Sequence, residues 1–173
     1  MNEQVDFSRF KLGEDDQVIA LATSAENRCA TLGMLAHATR SIDIVSRDFD
    51  RAILNDAQIE QALRDFVRNG TRPSVRVLVH DLEQAVRHGH ALLELAKRLT
   101  SFISIRRLGE PHKTYNEAFT VIDARAYIHR SHAARFEAKA CFSDRKRARD
   151  LTLAFDEMWQ SSDSEADARA FII

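Results

Sequence analysis

The stretch Glu117-Ala118-Phe119-Thr120-Val121-Ile122-Asp123-Ala124-Arg125-Ala126-Tyr127-Ile128-His129-Arg130-Ser131 decides how this chain is read. Residues 118–122 are apolar or β-branched and of strand length. A single aspartate opens a short turn at 123–125, and a second strand runs over 126–129 toward a lone serine. Two short strands joined this tightly form a hairpin. Any fold for the chain must therefore hold an antiparallel pair here.

Toward the N-terminus the pattern changes from strand after strand to strand after helix. Val18 to Ala22 is an apolar run of strand length. Thr23 and Glu26 make a capping box, hydroxyl and carboxylate each satisfying a free amide at a helix start, so the spacing predicts a helix over 24–39. Ile42 to Ser46 is a β-branched strand. Asn55 reads as the cap of the next helix, whose stripe Ile59, Leu63, Phe66 and Val67 recurs at helical spacing. Gly70 reads as its left-handed stop. Val75 to Val79 is a strand, 82–100 one long helix, and 102–105 another strand. Residues 1–16 lack any sustained period and read as a loosely attached, flexible arm.

Beyond the hairpin, Phe136 to Phe142 reads as a further strand. Ser143 reads as the cap of a last helix, on which Ala148, Leu151, Phe155, Met158 and Trp159 share a face. Residues 162–173 form an acidic tail ending in Phe171-Ile172-Ile173. Strands alternating with helices imply βαβ crossovers and a sheet covered on both faces. The closing run of strands makes that sheet mixed. The fold class is α/β, with one domain over 17–161.

Bulk properties narrow the function classes. The chain has 173 residues, room for one domain with a sizeable core. Its formal charge of −1 gives no global pull toward nucleic acid or membrane, but residues 105–149 carry 11 Lys/Arg against 5 Asp/Glu, a local net of +6. Cys29 and Cys141 have no metal-ligand or disulfide spacing and read as free thiols. No run approaches the ~20 apolar residues of a membrane span, and nothing in the first residues reads as a signal peptide. A cytoplasmic protein without cofactors is the expectation.

The order of these elements over 18–161 resembles one phospholipase D-type domain. The resemblance is carried by Ala38 to Ile44, by the 75–79 strand, by Phe136 to Asp144, and by Phe155-Asp156-Glu157-Met158-Trp159, similar to the Phe-x-x-x-Trp that closes such domains. The family's catalytic motif is His-x-Lys, four residues, Asp, then six residues before Gly-Ser, with Asn two positions on. Anchored on Asp123, it places Asn116 at the histidine, Ala118 at the lysine, Arg130 at the glycine, Ser131 at the serine and Ala133 at the asparagine. Only Asp123 and Ser131 agree with it. The resemblance implies a histidine nucleophile on phosphorus and a lysine stabilising phosphoryl charge. An asparagine amide does not perform the first role, and a methyl group does not perform the second. His112-Lys113 cannot stand in, because adjacent residues on a strand face opposite sides. No catalytic residue is therefore assigned.

The expectation is a non-catalytic phospholipase D-like domain serving as a binding, regulatory or scaffold module. It is expected to be a homodimer, because the family commonly assembles its site from two domains. Weak anion binding is placed at Arg130, Ser131, Asn116, His112 and Lys113. Two alternatives stand beside it. One is nucleic-acid or phosphate-ligand binding through the basic 105–149 region, including Arg145-Lys146-Arg147 and Arg149. The other is an enzyme of a different class, using His80, Asp81, His112 or Lys113 at the strand ends. His88 and His90 lie two apart on an expected helix, where side chains diverge, so no metal site is assigned to them.

Overall fold

The structure, a computed structural model, describes residues 5–162. Seven strands form one sheet: β1 (Ile19–Leu21), β2 (Ser41–Ser46), β3 (Ser74–Val79), β4 (Ile103–Arg107), β5 (Ala118–Ile122), β6 (Ala126–Arg130) and β7 (Ala138–Cys141). Their spatial order is β1-β7-β6-β5-β2-β3-β4. β2, β3 and β4 run parallel, and every other neighbouring pair is antiparallel. The expected mixed sheet is present, with the hairpin β5–β6 near its middle.

The period-two alternation of the strands divides the core into two layers. Ile42, Ile44, Val75, Val77, Ile103 and Ile105 face one side. There they meet α1 (Ser24–Leu35), α2 (Arg51–Leu54), α3 (Ala57–Asn69) and α5 (Ala91–Arg98). Val45, Leu78, Phe119, Val121 and Tyr127 face the other, where the last helix α6 (Arg145–Gln160) lays Ala148, Leu151, Phe155 and Met158 on them. Under α6 a buried carboxylate, Asp43, takes a two-pronged bond from Arg76 at 2.8 and 3.0 Å. Arg76 also pairs with Asp156 at 2.9 Å and lies over the Phe155 ring. Burial pushes the Asp43 carboxyl up, against the pull of Arg76.

Several local expectations are corrected by long-range partners. The capping box at Thr23 and Glu26 forms, but α1 ends at Leu35 and leaves 36–39 as a loop. Asp56, not Asn55, caps α3; the Asn55 amide oxygen accepts instead from Ala91 N–H at 2.9 Å. Gly70 is extended (φ −71°), not left-handed. Its lack of a side chain matters because a Cβ there would lie 2.7 Å from the Phe66 carbonyl oxygen. The expected long helix over 82–100 is two helices, α4 (Glu83–His88) and α5, parted at Gly89 with φ +71°. Asp144, not Ser143, caps α6 by accepting from Arg147 N–H. The reading of 1–16 as a loose arm fails at Phe7, which is buried and stacked on Phe142 and tilted against Phe10. The acidic tail lies outside the described residues from position 163 onward.

Candidate functional site

The residues singled out in the sequence sit at both ends of the β5–β6 hairpin. Asp123 and Ala124 turn the hairpin with φ +53° and +51°, the left-handed central pair of a tight turn that Arg125 N–H closes on the Ile122 carbonyl oxygen at 3.0 Å. The Asp123 carboxylate faces the α1–β2 loop. It accepts from Thr39 N–H (2.9 Å), Thr39 Oγ1 (3.1 Å), Arg40 N–H (2.7 Å) and Ser41 N–H (2.9 Å). Asn116 lies at the opposite end of β5, roughly 20 Å away at ~3.3 Å per residue. Asp123 therefore organises backbone and takes no part in a pocket with Asn116.

At that opposite end, Ala118 and Arg130 are directly paired in register, and both are buried. The Arg130 guanidinium turns inward to the Asp50 carboxylate at 2.5 Å and to the Arg135 carbonyl oxygen at 3.3 Å. Asp50 also accepts from the Ser46 hydroxyl at 2.9 Å, and its own backbone is left-handed. The side chain expected to hold an external anion is thus neutralised from within. Asn116 is exposed, its amide oxygen accepting from Arg47 at 3.2 Å. It shares a shallow depression with His112 and Ser131, without Arg130 or Lys113. Lys113 pairs with Glu110 at the surface.

The strand-end residues have separate hydrogen-bond and ion-pair partners. Burial, then the charge of Arg47, holds the His80 imidazole below its ordinary value, while Asp81 accepts from Glu83 N–H. Among the described residues no hydrogen bond or ion pair joins either one to His112 or Lys113. His90 is buried between the Phe49 carbonyl oxygen (3.1 Å) and Leu92 N–H (3.1 Å), while His88 is exposed. Among the described residues no cluster of three or more His, Cys, Asp or Glu could hold a metal ion.

One assembly was missed from the sequence. On the α6 side, His129 Nε2–H donates to Glu117 Oε2 at 2.7 Å, and Arg147 donates to His129 Nδ1 at 3.3 Å. The Tyr115 hydroxyl reaches the same carboxylate at 3.4 Å. Burial, then the Glu117 charge, pushes the Tyr115 phenol far up. The missed signal was strand parity: Phe119 faces His129 across the ladder, so Glu117, two residues earlier, shares that side. This network borders a cleft of roughly 740 Å³ between β1, β7, β6 and the start of α6, lined among others by Ser131, His132, Arg135, Lys139 and Arg147.

The mixed sheet, its two helical layers and the position of the hairpin define a phospholipase D-like α/β domain. The structure is similar to Nuc from Salmonella typhimurium, a phospholipase D family member, with TM-score 0.60 and 15% identity over 85% of this chain and 97% of that one. NucT from Helicobacter pylori is similar with TM-score 0.58 and 13% identity, over 84% and 97%. TrmBL2, an archaeal chromatin protein described as showing a novel mode of DNA binding, is similar with TM-score 0.64 and 15% identity, over 86% of this chain and 53% of that one. The chain thus spans about half the length of the TrmBL2 chain it matches. At these identities the likeness is one of fold. No curated protein matches the sequence. The chain belongs to the family described as a domain of unknown function, DUF7931, which it matches over residues 23–171.

Proposed function

We propose that this chain is a non-catalytic phospholipase D-like module that binds an anionic partner, nucleic acid, without cleaving it. The observation that carries the reading is the buried Arg130–Asp50 pair, 2.5 Å apart, directly across the ladder from Ala118. The motif's lysine position holds a methyl group, and the neighbouring cation is already spent on an internal carboxylate. With Asn116 in the nucleophile's place, the covalent route through a phosphohistidine has neither its nucleophile nor its principal charge. The DNA binding named for TrmBL2 and the net +6 of residues 105–149 support nucleic acid as the partner class. A homodimer is part of the same proposal, and light scattering on the full chain tests it.

The test of the main reading is direct. Purified protein incubated with duplex DNA, single-stranded DNA and bis(p-nitrophenyl) phosphate is expected to give turnover indistinguishable from a protein-free blank. Hydrolysis that disappears in Asn116→Ala would overturn the proposal.

A further inference from the structure

We infer that the basic cleft on the α6 side, which adjoins the old pocket at Ser131 and His132, is a binding site for a phosphodiester backbone. The location rests on the reading of the chain as a nucleic-acid-binding module, and it goes beyond that reading by naming the surface and the residues. Helix α6 packs on β2, β5 and β6 and its layer buries Cys141 of β7, while the same face stays exposed at Lys139 and Val18. Val18 is 56% exposed there, and Lys139 stands between Ala20 and His129 in the ladder. The cleft therefore has a floor built from the sheet and one wall built from the start of α6.

Its charge is suited to an anion. Arg135, Lys139 and Arg147 face one carboxylate, Glu137, among the lining residues. Arg135 and Lys139 are exposed, and among the described residues neither forms a salt bridge. Arg147 is held differently. Since His129 Nε2–H donates to Glu117, its Nδ1 is left to accept from the Arg147 guanidinium. That cation is oriented by an imidazole nitrogen and forms no salt bridge among the described residues, so less ordering is lost on binding. The pattern favours backbone over bases: neither Phe nor Trp is among the lining residues, and Tyr127 is 5% exposed and offers no stacking face. Three cations set along one cleft contact successive phosphates of a strand, single or paired.

Fluorescence polarisation with a labelled DNA duplex and with its single strand, on the full chain across a salt series, tests the inference. Each phosphate contact contributes a slope of about −0.9 in log affinity against log salt on duplex, or about eightfold in affinity per tenfold change in salt. The Arg135→Glu/Lys139→Glu variant is expected to lose about two units of that slope. An Arg68→Glu/Arg98→Glu control makes the same change of net charge on the helices of the opposite face and is expected to keep the wild-type slope. The milder Arg135→Gln/Lys139→Gln variant gives the same reading if charge reversal disturbs folding. Loss at the cleft variant on either form of DNA supports the site. Equal weakening by cleft and control variants overturns the site while leaving the binding module in place. Wild-type protein that binds neither form at low salt overturns both.

Discussion

Asp123 is the residue at which the sequence motif and the structure assign different work. The motif counts it beside a nucleophile, whereas its carboxylate takes four hydrogen bonds from Thr39, Arg40 and Ser41. Its own N–H donates to the Ser41 carbonyl oxygen at 2.8 Å, so one residue fastens the α1–β2 loop to the hairpin turn. Hydrogen bonds to a charged acceptor contribute about 1.5–3 kcal/mol each when buried and less where water competes. A left-handed backbone costs alanine about 1 kcal/mol more. Asp123→Ala is therefore expected to destabilise the fold by roughly 2–4 kcal/mol, and Asp123→Asn, which tolerates the left-handed turn, by less. Urea denaturation decides: an alanine variant within about 0.5 kcal/mol of wild type, the range of an ordinary surface substitution, would show the clamp to be idle. Spacing alone located Asp123 but could not reveal this role, because the amide of Thr39 lies 84 residues away in the chain.

The break between α4 and α5 shows the same limit for whole elements. Apolar spacing runs on through 82–100, and a glycine inside a helix costs only about 1 kcal/mol, so the sequence reads as one helix. The break depends on a docking contact 41 residues distant, where the His90 ring meets the Phe49 carbonyl oxygen. His90 Nε2–H donates there, and Nδ1 accepts from Leu92 N–H to cap α5. The bond accepted by Nδ1 requires the neutral ring, and burial holds its protonation below the ordinary value. A group whose folded pKa is depressed keeps its full stabilising effect above the unfolded pKa, about 6.5 for histidine. That effect is lost as pH falls toward the folded value, with a limiting slope of about 1.4 kcal/mol per pH unit for one proton. His80, depressed by burial and by Arg47, acts in the same direction. Unfolding free energy should thus fall from pH 7.5 to pH 5, and His90→Gln should flatten part of that fall. Equal slopes in wild type and variant would remove His90 from the account. Elements governed by their own residues, such as the Thr23–Glu26 box and the α3 stripe, were legible; elements ended by distant contacts were not.

For the molecule as a whole, alternation of strand and helix followed by a run of strands was enough to place a mixed sheet between helical layers. The interior of the old site was not readable, because it is closed by a loop. Phe49 and Asp50 adopt left-handed backbone at φ +66° and +40°, and this bend, which nothing in the local sequence announces, brings the Asp50 carboxylate to Arg130. The closure makes reversion of the motif a test of the whole arrangement. In Asn116→His/Ala118→Lys the new ammonium enters a buried position directly opposite Arg130, with Cβ atoms ~5 Å apart. Two like charges at that distance repel by about 3 kcal/mol at an effective dielectric of 20. The double variant should therefore be destabilised by a few kcal/mol and remain without phosphodiesterase activity. Adding Arg130→Gly, the residue the motif has there, removes the repulsion and leaves Asp50 to pair with the introduced lysine. Stability should then recover by most of that amount, read as the urea midpoint of triple against double variant. A double variant as stable as wild type would mean that Arg130 does not occupy the space the lysine needs, and the account of a site closed from within would fail with it.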